Sequence, residues 1–205
     1  MNIRIDTAED FKQAMKQTPY IGGKLETFQL CSELLRDDGL ILEFGVKAGN
    51  SINKIASFNS NRTVYGFDSF EGLPEDWIRG DKTLKKGRYK QIKLPKVERN
   101  VQLIKGWFVD TIPIFKKTHS ENISFINIDS DLYASCKTIL WNLNSQIKIG
   151  TVIHFDELCD WTDQGYTRWV DHEYRALKEW VIDFDREISL VCWSTNYGGV
   201  IKIEK

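Results

Sequence analysis

Apolar residues recur along the chain with two periods. Short apolar runs at 40–46, 63–67, 101–104, 124–128 and 151–155, each bounded by Gly, Asn or charged residues, predict buried strands. Between them, apolar positions at helical spacing predict helices beginning near Ser51, ending before Ser120 and covering 135–143. Strands separated by helices imply right-handed crossovers and a parallel sheet covered on both faces. Ahead of the first strand, Thr7 and Asp10 fit a capping box for a helix over 8–17. Residues 19–23 break it. Leu25, Phe28, Cys31 and Leu35 then mark a helix over 24–36 with Gly39 as its stop, so that residues 1–39 form an N-terminal helical cap. After Trp161, residues 168–184 read as a helix with Trp169, Tyr174, Leu177, Trp180 and Val181 available to one apolar face. The strands 188–194 and 200–203 are joined by residues 195–199, a connection that suits a hairpin and is too short for a helical crossover. The whole describes an α/β fold with a seven-stranded, mostly parallel sheet ending in an antiparallel hairpin, an ending that a dehydrogenase domain has no reason to adopt.

With 205 residues, 41% of them hydrophobic, the chain is expected to be a single domain spanning 1–205. Its net charge of −1 gives no overall attraction to nucleic acid or to an anionic membrane. Met1 to Asp6 lack the apolar core of a signal peptide, and no apolar run approaches the ~18 residues of a membrane span, so a cytoplasmic protein is expected. Cys31, Cys136, Cys159 and Cys192 contain no C-x-x-C pair and are expected to be reduced, buried thiols. Residues 79–99 carry nine basic residues against Asp81 and Glu98. Such a run is a solvated loop or a means of steering an acidic substrate; with Tyr89 almost alone among the charges, it does not suit nucleic acid.

The chemistry lies where strands end. Asn127-Ile128-Asp129-Ser130-Asp131 and His154-Phe155-Asp156-Glu157 each carry an apolar run abruptly into carboxylates. Open α/β sheets bind ligands at those carboxyl ends, so four acids can share one crevice. After the first strand, Gly45-Val46-Lys47-Ala48-Gly49-Asn50-Ser51 turns into a helix, with glycine for close approach and free N–H groups at the helix start. The spacing is G-x-x-x-G, which a plain strand-to-helix turn shares. Asp68 ends the next strand about 20 residues later, where an acid either accepts ribose hydroxyls or caps the following helix. His154 reads as a packed neighbour of the acids, or as a rival base.

Glu43-Phe44-Gly45-Val46, Asp68-Ser69-Phe70-Glu71-Gly72-Leu73-Pro74, Asp110-Thr111-Ile112-Pro113 and Ile128-Asp129-Ser130-Asp131-Leu132-Tyr133 resemble the motifs of the macrocin O-methyltransferase family of class I S-adenosylmethionine (SAM) dependent enzymes. The resemblance runs from Leu40 to the C-terminus and implies a Rossmann-like three-layer sandwich. It also implies methyl transfer from SAM to a hydroxyl of a sugar or glycosylated small molecule, assisted by Mg²⁺ or another divalent cation. Carried over, it makes Glu43, Gly45, Gly49 and Asp68 cofactor-binding, with Ser51, Ser69, Gly106, Trp107 and Asp129 beside them. Asp129 becomes a metal ligand and Asp131 the general base. The family's Asp-Asp-Tyr after the fifth strand is here Asp156-Glu157-Leu158, a departure that lengthens one ligand arm and removes the tyrosine.

Oxygen ligands from Asp129, Asp156 and Glu157 suit a hard cation able to favour the alkoxide, with Asp131 taking the proton. Trp161 and Tyr166, in the loop after the acids, are expected to line the acceptor pocket. The expected partner is a small-molecule acceptor, a saccharide among the candidates, with no nucleic acid and no membrane, and a homo-oligomer is left open. A metal-independent small-molecule methyltransferase and an inactive SAM- or nucleotide-binding module are the competing readings.

Overall fold

A computed structural model of the chain describes residues 7–195 and 197–205. The features foreseen at Met1 to Asp6, and Asn196 in the final hairpin, lie outside them. In chain order the elements are α1 (Ala8–Lys16), β1 (Tyr20–Ile21), α2 (Lys24–Leu34), β2 (Leu40–Phe44), α3 (Asn50–Phe58), β3 (Val64–Asp68), β4 (Trp77–Ile78) and β5 (Thr83–Leu84). They continue as β6 (Val101–Lys105), α4 (Phe108–Phe115), β7 (Ile123–Ile128), α5 (Tyr133–Leu143), β8 (Ile147–Phe155), a 3₁₀ turn (Trp169–Asp171), α6 (Glu173–Asp183), β9 (Ile188–Ser194) and β10 (Gly199–Ile203).

The main sheet has the order β1-β9-β10-β8-β7-β2-β3-β6, with β10 antiparallel to both of its neighbours. The seven foreseen strands are all present. An eighth joins them, because Tyr20 and Ile21, read as part of a break, pair in parallel with Trp193 and Ser194 at the sheet edge. From β2 the chain moves outward through β3 to β6, then returns to place β7 on the other side of β2. That reversal makes the carboxyl ends of β2 and β7 a switch point, where a crevice opens between diverging connections.

Strict alternation sends side chains to two cores. Leu42, Phe44, Ile126, Ile128, Ile153 and Phe155 face one side, packed with Ile112 of α4, Ile139 of α5 and Trp180 of α6. Ile41, Phe125 and Val152 face the other, against Phe28 of α2 and Ile52 of α3. Phe44 and Phe67 stack across adjacent strands at 4.6 Å. Thr7 caps α1 as foreseen, accepting from the Asp10 amide at 3.1 Å, while its hydroxyl donates to the Asp10 carboxylate at 2.7 Å. The helix over 168–184 is shorter than its pattern suggests, because a 3₁₀ turn occupies its first part. All four cysteines are buried and free. No helix among the described residues is long and apolar enough to cross a membrane.

Residues 79–99 form a roof. The Leu73 amide donates to Arg88 O at 2.9 Å, that of Gln91 to Phe70 O at 3.0 Å, and Asn53 of α3 donates to Lys96 O at 3.1 Å. Several of its charges are paired, Lys85 with Asp76 and Lys90 with Glu71. This ties the run over the switch point.

Candidate active site

The switch point holds a cleft of about 720 Å³. Gly45 reaches it from the turn after β2, Asp68 and Ser69 from the end of β3, and Trp107 from the start of α4. Asp129 and Asp131 arrive after β7, Asp156 and Glu157 after β8. Parallel strands ending at one level bring these residues together although they are far apart in sequence.

Gly45 has φ 97°, and a Cβ there would stand 1.8 Å from the Asp129 carbonyl oxygen. Only glycine lets these two loops touch. Gly49, φ 84°, is the left-handed cap of α3, and Ser51 in the first turn of that helix faces the cleft. Asp68 steadies this turn: its Oδ2 accepts the Lys47 amide at 2.7 Å and its Oδ1 the Phe70 amide at 2.6 Å. No helix follows Asp68, so it does not act as a cap. Close backbone approach at Gly45, a helix N-terminus and an acid on the rim fit a nucleoside-bearing cofactor. Gly49 and Gly106 shape the backbone without reaching the cleft; the Gly106 amide donates to Asp68 O at 3.0 Å. Ser69 accepts the Glu71 amide at 3.1 Å.

Glu43 lies beneath the cleft in a buried polar row. Glu43, Asn127 and His154 are register partners on β2, β7 and β8, all on the side of α2 and α3. The Asn127 amide donates to Glu43 Oε1 at 2.8 Å, and its oxygen lies 2.6 Å from His154 Nδ1, which is therefore the protonated nitrogen. Burial lowers His154 to about 3, with Lys24 adding to the effect, and the ring does not line the cleft, so it is a weakly basic packed neighbour rather than a rival base. Burial likewise raises Glu43 to about 8 against opposing hydrogen bonds from Ser51 and Asn127.

Asp131 is buried and held at φ 63°, a left-handed conformation rare for a side-chain-bearing residue and frequent at functional sites. Burial, then the charges of Asp129 and Asp156, push its carboxyl well above the usual range. Asp129 rises to about 6, first through burial and then through Asp156. Lys24 Nζ lies 2.9 Å from Asp129 Oδ2 and 2.9 Å from Asp156 Oδ2. Burial opposes its charge, but the two carboxylates outweigh burial and hold the ammonium protonated.

Three residues at this site were not singled out from the sequence. Lys24 begins an ordinary helix, and no pattern marks it. Glu173 is fully buried at the start of α6, and its carboxylate accepts from the backbone amides of Ser130 and Glu157. In sequence it looks like any acid in a first helical turn. The buried Arg79 guanidinium lies 4.9 Å from the Trp77 ring, 4.6 Å from Tyr166 and 4.8 Å from Tyr197, and its charge acts on Glu157. A basic run gives no sign that one member turns inward.

Trp161 and Tyr166, expected at the acceptor, are core residues. Both are fully buried and neither lines the cleft. Trp161 Nε1 donates to Gly198 O at 2.9 Å, and Tyr166 packs edge-on against Trp77. Asp160 folds their loop inward by accepting the amides of Gln164 and Tyr166, both at 2.8 Å.

The expected metal trio does not fit. An ammonium already spans Asp129 and Asp156. Glu157 is half-buried with Oε2 unpartnered, and no group of three or more His, Cys, Asp or Glu side chains among the described residues is placed to hold an ion.

Residues 20–186 match the family model for macrocin-O-methyltransferase (TylF). No curated protein sequence matches the chain. Among solved structures, CalS11, a calicheamicin methyltransferase, superposes with TM-score 0.68 at 20% identity, covering 87% of this chain and 77% of that one. The O-methyltransferase NovP gives TM-score 0.65 at 22% identity, covering 89% and 80%. MycE methyltransferase of the mycinamycin biosynthetic pathway, in complex with Mg and SAH, gives 0.55 at 17%, covering 85% of this chain and 47% of MycE. These likenesses show a Rossmann-like methyltransferase fold, and by the match over residues 20–186 the chain belongs to the macrocin O-methyltransferase family.

Proposed function

We propose that the protein transfers the methyl group of SAM to a hydroxyl of a sugar or glycosylated small molecule, with residues 1–205 acting as one domain. The observation that carries this reading is the juxtaposition, in one cleft, of the Gly45 turn and Asp68 with the buried carboxylate of Asp131. When bound, SAM would supply an electrophilic methyl group on a sulfonium, the acceptor O–C bond forming in line as the C–S bond breaks and its electron pair stays with sulfur. Asp68 serves the ribose and the glycine turn gives the cofactor close approach. Asp131 receives the hydroxyl proton. Trp107, partly exposed at the rim, offers a flat apolar surface. Holding donor and acceptor in line contributes much of the acceleration.

The acceptor side belongs to Tyr89 rather than to Trp161. Tyr89 lines the cleft from the roof, with Lys47 Nζ 4.0 Å from its ring centre. A sugar acceptor is in keeping with CalS11, a TDP-rhamnose 3'-O-methyltransferase of calicheamicin biosynthesis. MycE was solved with Mg and SAH; the Lys24 bridge between Asp129 and Asp156 favours metal-independent transfer in this chain.

Calorimetry with SAM, parent against Asp68→Ala, tests the cofactor. Loss of hydrogen bonds from a charged acceptor predicts a weakening of roughly 1.5–3 kcal/mol. Unchanged affinity removes Asp68 from the cofactor site. A screen of labelled-methyl transfer over sugar, nucleotide-sugar and phenolic acceptors tests the reaction.

A further inference from the structure

Lys24 is the first residue of α2, directly after its cap Gly23. The positive end of a helix dipole disfavours a cation there, so the helix itself gives no reason for lysine at this position. The reason lies across the cleft, where one ammonium spans the carboxylates ending β7 and β8. The side chain is about one-third exposed and lines the cleft. An ammonium has three N–H donors. Two meet Asp129 and Asp156, and the third has no protein acceptor among the described residues.

We propose that Lys24 Nζ is the built-in cation of this active site, taking the place a divalent ion would occupy between Asp129 and Asp156 and offering its third N–H to the acceptor oxygen. The inference rests on the methyl-transfer reading and specifies how that site is charged. Lys24 keeps its proton throughout; the acceptor's proton goes to Asp131. Lys24 orients the acceptor and favours negative charge on its oxygen, which is the role of a Lewis acid. Glu157, whose carboxyl is raised first by burial and then by the charges of Asp156, Asp131 and Glu173, with Arg79 opposing, makes no ion pair with Lys24.

The test is calorimetric titration of Mn²⁺ and Mg²⁺ into EDTA-stripped parent, Lys24→Met and Lys24→Arg, with SAM titrated into each. The parent and Lys24→Arg are expected to show no stoichiometric divalent binding. Lys24→Met leaves two unneutralised carboxylates and is expected to gain Mn²⁺ affinity by ~100-fold or more, from loss of a like charge at contact distance. A parent that binds one equivalent of Mn²⁺ tightly, and loses it in Asp129→Asn, overturns the proposal. So does a folded Lys24→Met that gains nothing. Should Lys24→Met fail to fold, the parent and Lys24→Arg titrations decide by the same criterion. Failure of the parent to bind SAM overturns the methyl-transfer reading instead, whatever the metal result.

Discussion

The Glu173 carboxylate accepts the Glu157 amide at 3.0 Å, and with its other oxygen it accepts the Ser130 amide at 3.3 Å. One buried side chain on α6 thereby joins the two loops that carry the acids. In Glu173→Ala both buried N–H groups lose their acceptor, at roughly 1–3 kcal/mol each. A fall in melting temperature together with a lower kcat is expected, and Glu173→Gln, which keeps one acceptor, should lose less of both. Unchanged stability and turnover in the alanine variant would show that the loops hold their positions independently.

The base prediction has a pH signature. Burial, Asp129 and Asp156 raise Asp131 above its ordinary range, and only the ionised form accepts a proton. Turnover should therefore rise with pH through an apparent pKa above that of a free aspartate. Asp131→Asn should lower kcat by roughly 10²–10⁴-fold while SAM affinity holds. A rate still maximal down to ~pH 4, the ordinary aspartate range, would exclude Asp131 as the base.

Glu43 makes the fold itself sensitive to pH. Its carboxyl is raised from 4.5 to about 8, so between these values the folded chain binds more protons than the unfolded chain. Stability is then fullest below the lower value and declines as pH rises through the upper one. Glu43→Gln, neutral throughout, should be more stable than the parent near ~pH 8 and little different near ~pH 5, the gap being on the order of a few kcal/mol. Thermal unfolding across that range measures it. Parallel curves for the two proteins would contradict the shift.

Trp161→Ala removes a fully buried indole and its bond to Gly198 O. Loss of about 3–5 kcal/mol is expected, seen as a large drop in melting temperature. Tyr89→Ala should act oppositely, raising the acceptor KM while the melting temperature barely moves. If the two variants exchanged these phenotypes, the acceptor surface would have to be redrawn around Trp161.

The parts of this site readable in the sequence are those created by the sheet. An apolar run ending in Asp129 or Asp156 already states that a buried strand emerges among charges, and the Gly45 turn and Asp68 follow from the same crossover logic. Seven strands were legible for that reason. The eighth, Tyr20–Ile21, is too short to show a period and exists only because β9 offers an edge. Lys24 and Glu173 were hidden because a lysine or glutamate in the first turn of a helix is commonplace, and only tertiary structure shows what lies opposite. Trp161 and Tyr166 misled because loop aromatics suggest a ligand, whereas the two amides accepted by Asp160 turn this loop into the core.

The contact between Gly45 and the Asp129 carbonyl has a mechanical meaning. In the proposed reaction the methyl donor at one loop and the proton acceptor on the other would be spaced by main chain meeting main chain, with no side chain between Gly45 and the Asp129 carbonyl to change rotamer. The reach from donor to acceptor is thus as stiff as the sheet that delivers both loops. On the proposed reading, substitutions in the roof at Tyr89 would change the acceptor while this span is left untouched.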